Sequence, residues 1–143
     1  MTSRAPLWSW SARTVDAIAV GLMTLPLIAS LALWSQLPAE MAIHWSGSTP
    51  NNFASKPVAT FGLFAFGVAL VAAIRILPDS MTSTPGGPTP SILFLGVVLA
   101  WVQSTVLVWN LGYQFNVTVS VIPIVILAAL LVVYSYRHAP SSS

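Results

Sequence analysis

Residues 58–77 read VATFGLFAFGVALVAAIRIL, and the only charge in that run is Arg75, in its last turn. A bilayer core of about 30 Å needs roughly 20 mostly apolar residues in a helix. Inside hydrocarbon every backbone N–H and C=O must find its partner within the segment, which selects a helix over an open strand. Working outward, three more runs meet the same test. They lie at about 15–33, 91–111 and 117–136. The spans are joined by LPAEMAIHWSGSTPNNFASKP (37–57), by a Pro/Gly-rich link around PDSMTSTPGGPTP (78–90), and by a short link around GYQFN (112–116). The expected fold is an all-α integral membrane protein: one domain, 1–143, of four transmembrane helices.

Composition agrees. Charged residues make up 6% of the 143 and hydrophobic residues 56%, against about 25% charged in ordinary soluble chains. Eight charges cannot solvate a soluble surface of this size, so lipid is the expected solvent. A net charge of +2, scattered along the chain, gives no footprint for nucleic acid. There is no cysteine, which excludes disulfides, thiolate metal sites and thiol catalysis. Reading the first run as a signal peptide is disfavoured, because 19 residues exceed the usual apolar region of 7–15.

Orientation follows from Lys and Arg near the helix ends. Four spans put both termini on one side, together with Arg4, Arg13, Arg75 and Arg137; the opposite side holds only Lys56. The expectation is therefore cytoplasmic termini in the cell membrane and an ordered extracytoplasmic loop over 37–57. Arg13 and Asp16, three apart, can pair on one helix face. Pro26 and Pro123 should kink their helices. Two small-residue ladders, Ala65/Ala69/Ala73 and Gly96/Ala100/Ser104, predict that the second and third helices meet there.

The chemistry is sparse. No ionisable residue falls near the middle of a span, which argues against an autonomous proton-coupled pump. No metalloprotease, phosphate-loop or nucleophile-elbow motif is present, so no catalytic residue is assigned and the chain is read as non-enzymatic. The 37–57 loop concentrates what polar chemistry there is. Glu40 and His44 share a face if that segment is helical. With Trp45 and Lys56 they form a candidate ligand-binding set. Two ligand-type side chains fall short of the three or four that zinc wants, and no metal or other cofactor is assigned. Gln103 and Asn110, seven apart on one face of the third span, are intramembrane polar groups suited to interhelical hydrogen bonds or to a polar pathway.

The loop also resembles a known pattern. Members of the SdpI-like group, which carry domain of unknown function 1648 (DUF1648), follow their first helix with Leu-Pro-x-x-Ile-Pro-x-His-(Trp/Phe)-Asn, then Gly, Asp and Ser-Lys. Here Leu37 and Pro38 open the pattern, and Met41 to Trp45 match its middle, with Ala42 in place of proline. Ser46 replaces the asparagine, Asn51 stands in the acidic position, Phe53 is the aromatic, and Ser55-Lys56 closes it. The resemblance covers about 14–77. It implies a prokaryotic multi-pass membrane protein of immunity or receptor type that binds a peptide or toxin at this loop. The best-understood member protects its host from a secreted toxic peptide and holds a transcription repressor at the membrane. Two alternatives stay open: a structural or accessory subunit of a larger membrane complex, and a small transporter or channel. Partners on these readings are the bilayer, a peptide, toxin or membrane protein, and a second copy of the chain.

Overall fold

The computed structural model describes residues 10–78 and 87–138. Arg4, Asp79 and the 79–86 part of the link, and the tail 139–143 lie outside the described residues. The elements run α1 (Ala12–Ala32), a 3₁₀ turn (Trp34–Gln36), β1 (Glu40–Ser46), β2 (Thr49–Ser55), α2 (Lys56–Ile76), α3 (Pro88–Asn110), α4 (Val117–Ser120) and α5 (Ile122–His138). Among the described residues, four helices are long and apolar enough to cross a membrane: Ala12–Ala32, Lys56–Ile76, Pro88–Asn110 and the joined Val117–Arg137. Their ends agree with the sequence expectation to within a few residues.

The all-α expectation needs correction. Residues 40–55 form an antiparallel hairpin, not a plain loop or a helical turn. Its second strand, TPNNFAS, carries a proline and two asparagines, residues depleted in strands. Pattern reading therefore passes over it. The hairpin stands because its turn and its docking compensate. Gly47 holds φ +64 at the first turn position, and the following Ser48 is not in the positive-φ region. That combination fits a two-residue type II′ turn, whose twist matches the strands. Ile43 and Asn51 are each skipped in the register, so one bulge on each strand offsets the other.

The core of the bundle is α1 against α3, with α2 packed across both. Val15, Ala19 and Met23 of α1 meet Ile92 and Leu99 of α3 and Val71 of α2. Close approach is set by glycines. A Cβ at Gly96 would lie 2.7 Å from the Ala19 Cα, and one at Gly67 would lie 2.4 Å from the Met23 sulfur. The two small-residue ladders do not meet as expected. Gly96 faces α1, while Ala65 and Ala69 are exposed. Arg75 fits the rotation that is observed instead. It sits in the last turn of α2 and reaches Asp16 of α1, donating from Nη2 at 2.7 Å and from Nε to both carboxylate oxygens at 3.0 and 3.2 Å. The pairing accompanies a rotation of α2 that sets its Thr60–Gly67–Val71 stripe inward, where Met23 and Leu99 close on Gly67, and its alanine ladder outward. It also replaces the expected Arg13–Asp16 pair.

The helix-interior prolines behave differently. α1 continues through Pro26, and the Ser30 hydroxyl donates to its carbonyl at 2.8 Å. At Pro123 the fourth span breaks into α4 and α5. Ile124 donates back to Val121 instead of Ser120. The Ser120 carbonyl accepts the Trp101 indole N–H at 2.9 Å instead. α5 then lies along α3 with most of its apolar surface exposed, as a lipid-facing helix requires.

Candidate functional site: the hairpin and its clamp

The hairpin is held at one end of the bundle; the Asp16–Arg75 pair marks the other. Its principal anchor is Asn110, at the last position of α3. The Ala42 backbone N–H donates to Asn110 Oδ1 at 2.8 Å, and Asn110 Nδ2 donates to the Ala42 carbonyl at 2.9 Å. Nδ2 also donates to the Val106 carbonyl at 2.8 Å, which fixes the amide's orientation. A primary amide has the donor and acceptor of a peptide unit. Asn110 therefore pairs with β1 as one residue of a neighbouring strand would. A second anchor is the Val117 N–H, which donates to the Gly47 carbonyl at 3.0 Å. Together they engage Ala42 on the free edge of β1 and the adjoining turn, the kind of edge that would otherwise invite pairing with another chain. Beneath it Leu37 and Met41 pack against Ala59, Val106 and Leu107.

Lys56 belongs to this architecture. Its Nζ donates to the Trp34 carbonyl at 3.0 Å and lies 5.2 Å from the Trp34 ring centroid. Its backbone N–H donates to the Ala39 carbonyl at 2.8 Å. Lysine thus ties the end of α1 to the start of α2, satisfying a carbonyl just past a helix C-terminus. Trp34 also rests 6.2 Å from Phe61, centroid to centroid.

The predicted set of Glu40, His44, Trp45 and Lys56 is not brought together as one site. The segment is a bulged strand, so the helical i, i+4 relation between Glu40 and His44 does not apply. Glu40 is exposed at the base of the hairpin, opposite Ser55. His44 is exposed nearer the turn, where Nδ1 hydrogen-bonds Asn51 Oδ1. Asn51 Nδ2 in turn donates to Ser46 Oγ at 3.0 Å. Trp45 leans the other way, edge-to-face on Trp109 with centroids 5.6 Å apart and planes at 60°. Both indole N–H groups of that pair are buried without a hydrogen-bond partner. Between His44 and Trp45 on the hairpin, and Trp101, Val117 and Val121 on the helices, lies a cavity of about 180 Å³. Sequence reasoning missed Asn51, Ser46 and Trp109 as neighbours of this face. Only the register of the hairpin brings them there.

Of the two intramembrane amides, Asn110 is the hairpin clamp. Gln103 is buried and directs Nε2 toward the Ala59 and Thr60 carbonyls of α2, at 3.4 and 3.5 Å. They serve different neighbours despite sharing a helix face. Among the described residues, no three His, Cys, Asp or Glu side chains cluster as metal ligands would.

Comparison with known proteins bears on this end of the molecule. Residues 21–68 match the family model of DUF1648, a domain of unknown function. The likeness to DUF1648 is confined to this segment. The match runs from mid-α1 through the whole hairpin to mid-α2, inside the 14–77 stretch of the sequence resemblance. Immunity protein SdpI of Bacillus subtilis (strain 168) is 28% identical over 107 residues, covering 71% of this chain and 50% of that protein. The chain thus spans about half the length of the curated relative it matches. No solved structure matches. Asn110 and Gln103 lie outside the DUF1648 segment, so the helix that clamps the hairpin is not part of the family match.

Proposed function

We propose that the protein is a non-enzymatic, immunity-type receptor of the cell membrane that engages a secreted peptide or toxin at the hairpin. In this reading both termini are cytoplasmic and the hairpin faces outward. Charge supports that orientation: Arg13, Arg75 and Arg137 sit at the end of the bundle away from the hairpin, and Lys56 sits at the hairpin end. The observation that carries the reading is the docking of the hairpin. An amide, a backbone N–H and an apolar underside hold it rigidly, and it presents His44, Asn51 and the Trp45 cavity at the rim of the bundle. A tether between two helices needs none of this. A preorganised face loses little freedom when a partner binds. The likeness to an immunity protein agrees in kind.

The test is protection. Cells expressing the chain would be challenged with a panel of secreted toxic peptides. His44→Ala and Asn51→Ala, both at exposed positions, should lose protection while membrane abundance stays at the wild-type level. Lys56 is unsuitable for this test, because its contacts to Trp34 and Ala39 make it part of the fold. Variants that protect as well as wild type would remove the hairpin from recognition. Loss of protection together with loss of the protein would reduce the face to a structural cap.

A further inference from the structure

At the end of the bundle away from the hairpin, a groove of about 300 Å³ opens between α3 and α5. Its deep part is apolar, walled by Phe94, Ala128 and Leu131. Its rim carries three hydroxyl residues, Ser91, Ser135 and Tyr136. Ala128 and Ser135 are seven residues apart, about 10 Å along α5 at 1.5 Å per residue. Ser135 comes two residues before Arg137, where the apolar span ends, so the rim lies at the bilayer boundary.

Ser135 is 7% exposed, yet its hydroxyl has no hydrogen-bond partner among the described residues. A serine or threonine inside a helix can donate back to the carbonyl four residues earlier. Thr24, Ser30 and Ser104 do so here, at 2.7, 2.8 and 2.7 Å. Ser135 does not. Among the described residues the unpaired polar side-chain atoms that are sealed off are the Trp45 and Trp109 indole nitrogens, Thr60 Oγ1 and Gln103 Oε1. Ser135 Oγ is outside that set and its residue lines the groove, so an occupant can reach it.

Shape, polarity and charge select the occupant. A lining about 10 Å long offers a spanning helix only a third of the 30 Å it needs. The groove passes from apolar walls to hydroxyls in the order in which an acyl chain passes to its ester and phosphate oxygens. Those oxygens are acceptors, and a serine hydroxyl has one proton to donate. Among the described residues this end holds Arg13, Arg75 and Arg137 against Asp16. Asp16 pairs with Arg75, which leaves Arg13 and Arg137 exposed with no acid to balance them. Arg137 directly follows Tyr136 of the rim. Basic residues beside a crevice between membrane helices attract anionic headgroups.

We propose that the α3/α5 groove holds one anionic phospholipid, with an acyl chain along Phe94, Ala128 and Leu131, an ester or phosphate oxygen on Ser135 Oγ, and its charge beside Arg137. The site is independent of recognition at the hairpin and of which end of the bundle faces the cytoplasm. The test is native mass spectrometry of the full chain, released from detergent after titration with phosphatidylglycerol or with phosphatidylcholine of the same acyl chains. The first phosphatidylglycerol should bind about fivefold tighter than the first phosphatidylcholine, the scale of one arginine near a headgroup. Arg137→Gln should erase that preference. Ser135→Ala should weaken the first lipid of either kind about fivefold, the scale of one net hydrogen bond. Ala128→Phe fills the deep part and should weaken both lipids. Helicity and thermal stability are read on each variant, and the small Ser135→Ala change decides the matter if Ala128→Phe does not fold. His44→Ala should bind lipid as the wild type does. Equal affinity of the wild type for the two lipids, or wild-type binding by Ser135→Ala, would overturn the assignment. So would a dimer that Ala128→Phe dissociates, because the groove would then belong to a second copy.

Discussion

Asn110→Asp is the sharpest probe of how the hairpin is held. The substitution preserves shape and keeps an oxygen for the Ala42 N–H. It removes both donors, so the carbonyls of Ala42 and Val106, now 2.9 and 2.8 Å from Nδ2, would face a carboxylate. Ala42 is 1% exposed, so water cannot easily replace the lost partner. An unsatisfied buried group costs about 1–3 kcal/mol. The Val106 carbonyl is a helix carbonyl and keeps much of its bonding, so the Ala42 carbonyl dominates. Repulsion from a charged carboxylate adds to it. A loss of about 2–3 kcal/mol in hairpin docking is expected, or roughly 30- to 150-fold in the docking equilibrium at 1.4 kcal/mol per tenfold. Asn110→Ala should cost about the same, since it leaves both the N–H and the carbonyl of Ala42 unpaired. The assay is hydrogen–deuterium exchange of the segment 37–57 in detergent or nanodiscs. Exchange should accelerate by that factor in β1, while the α1–α3 core around Val15 and Ile92 keeps its protection. The clamp would be refuted by wild-type protection in Asn110→Asp. Uniform loss across the bundle would show that Asn110 supports global folding instead.

Gly96→Leu should be destabilising by at least about 1–3 kcal/mol, the usual penalty for overpacking, because its Cβ alone would press to 2.7 Å on the Ala19 backbone. Thermal unfolding in detergent should show a large fall for Gly96→Leu and almost none for Gly62→Ala. The Asp16–Arg75 pair is part-exposed, with the Arg75 side chain 24% and the Asp16 side chain 33% accessible. A double-mutant cycle with Asp16→Asn and Arg75→Gln should give a coupling of no more than about 1 kcal/mol. Raising the ionic strength should shrink that coupling.

How much was legible in the sequence depends on the range of the signal. The four spans were readable because twenty apolar residues in a row have few other solutions. Helix rotation was not readable. The alanine ladder on α2 looked like a packing face, but the helix packs instead through Gly67 and Val71, and Arg75 meets Asp16, a partner 59 residues distant in the chain. Register was equally hidden. His44 and Asn51 are seven apart, and only two compensating bulges bring their side chains together. The polarity of 37–57 was plain, yet nothing local in TPNNFAS announces a strand. What makes it one is Gly47 at the turn and an amide 68 residues away from Ala42.

Two of the three positions at which the loop departs from the DUF1648 pattern sharpen the reading of His44. Ser46 stands where asparagine is usual, and Asn51 where an acidic residue is usual. These are the two residues that the structure links to His44 in a single chain of hydrogen bonds. They are therefore not independent surface changes. An acid at 51 would set a carboxylate against the imidazole and favour a charge-assisted bond. The amide at 51 gives a neutral partner that also donates to Ser46. The hairpin keeps its geometry in either case, since the clamp at Asn110 and the tie at Lys56 lie elsewhere. What changes is the charge and the donor pattern of the exposed edge. A face whose scaffold is anchored from outside the family segment, and whose exposed polar residues can vary together, can change the chemistry it presents without changing its fold.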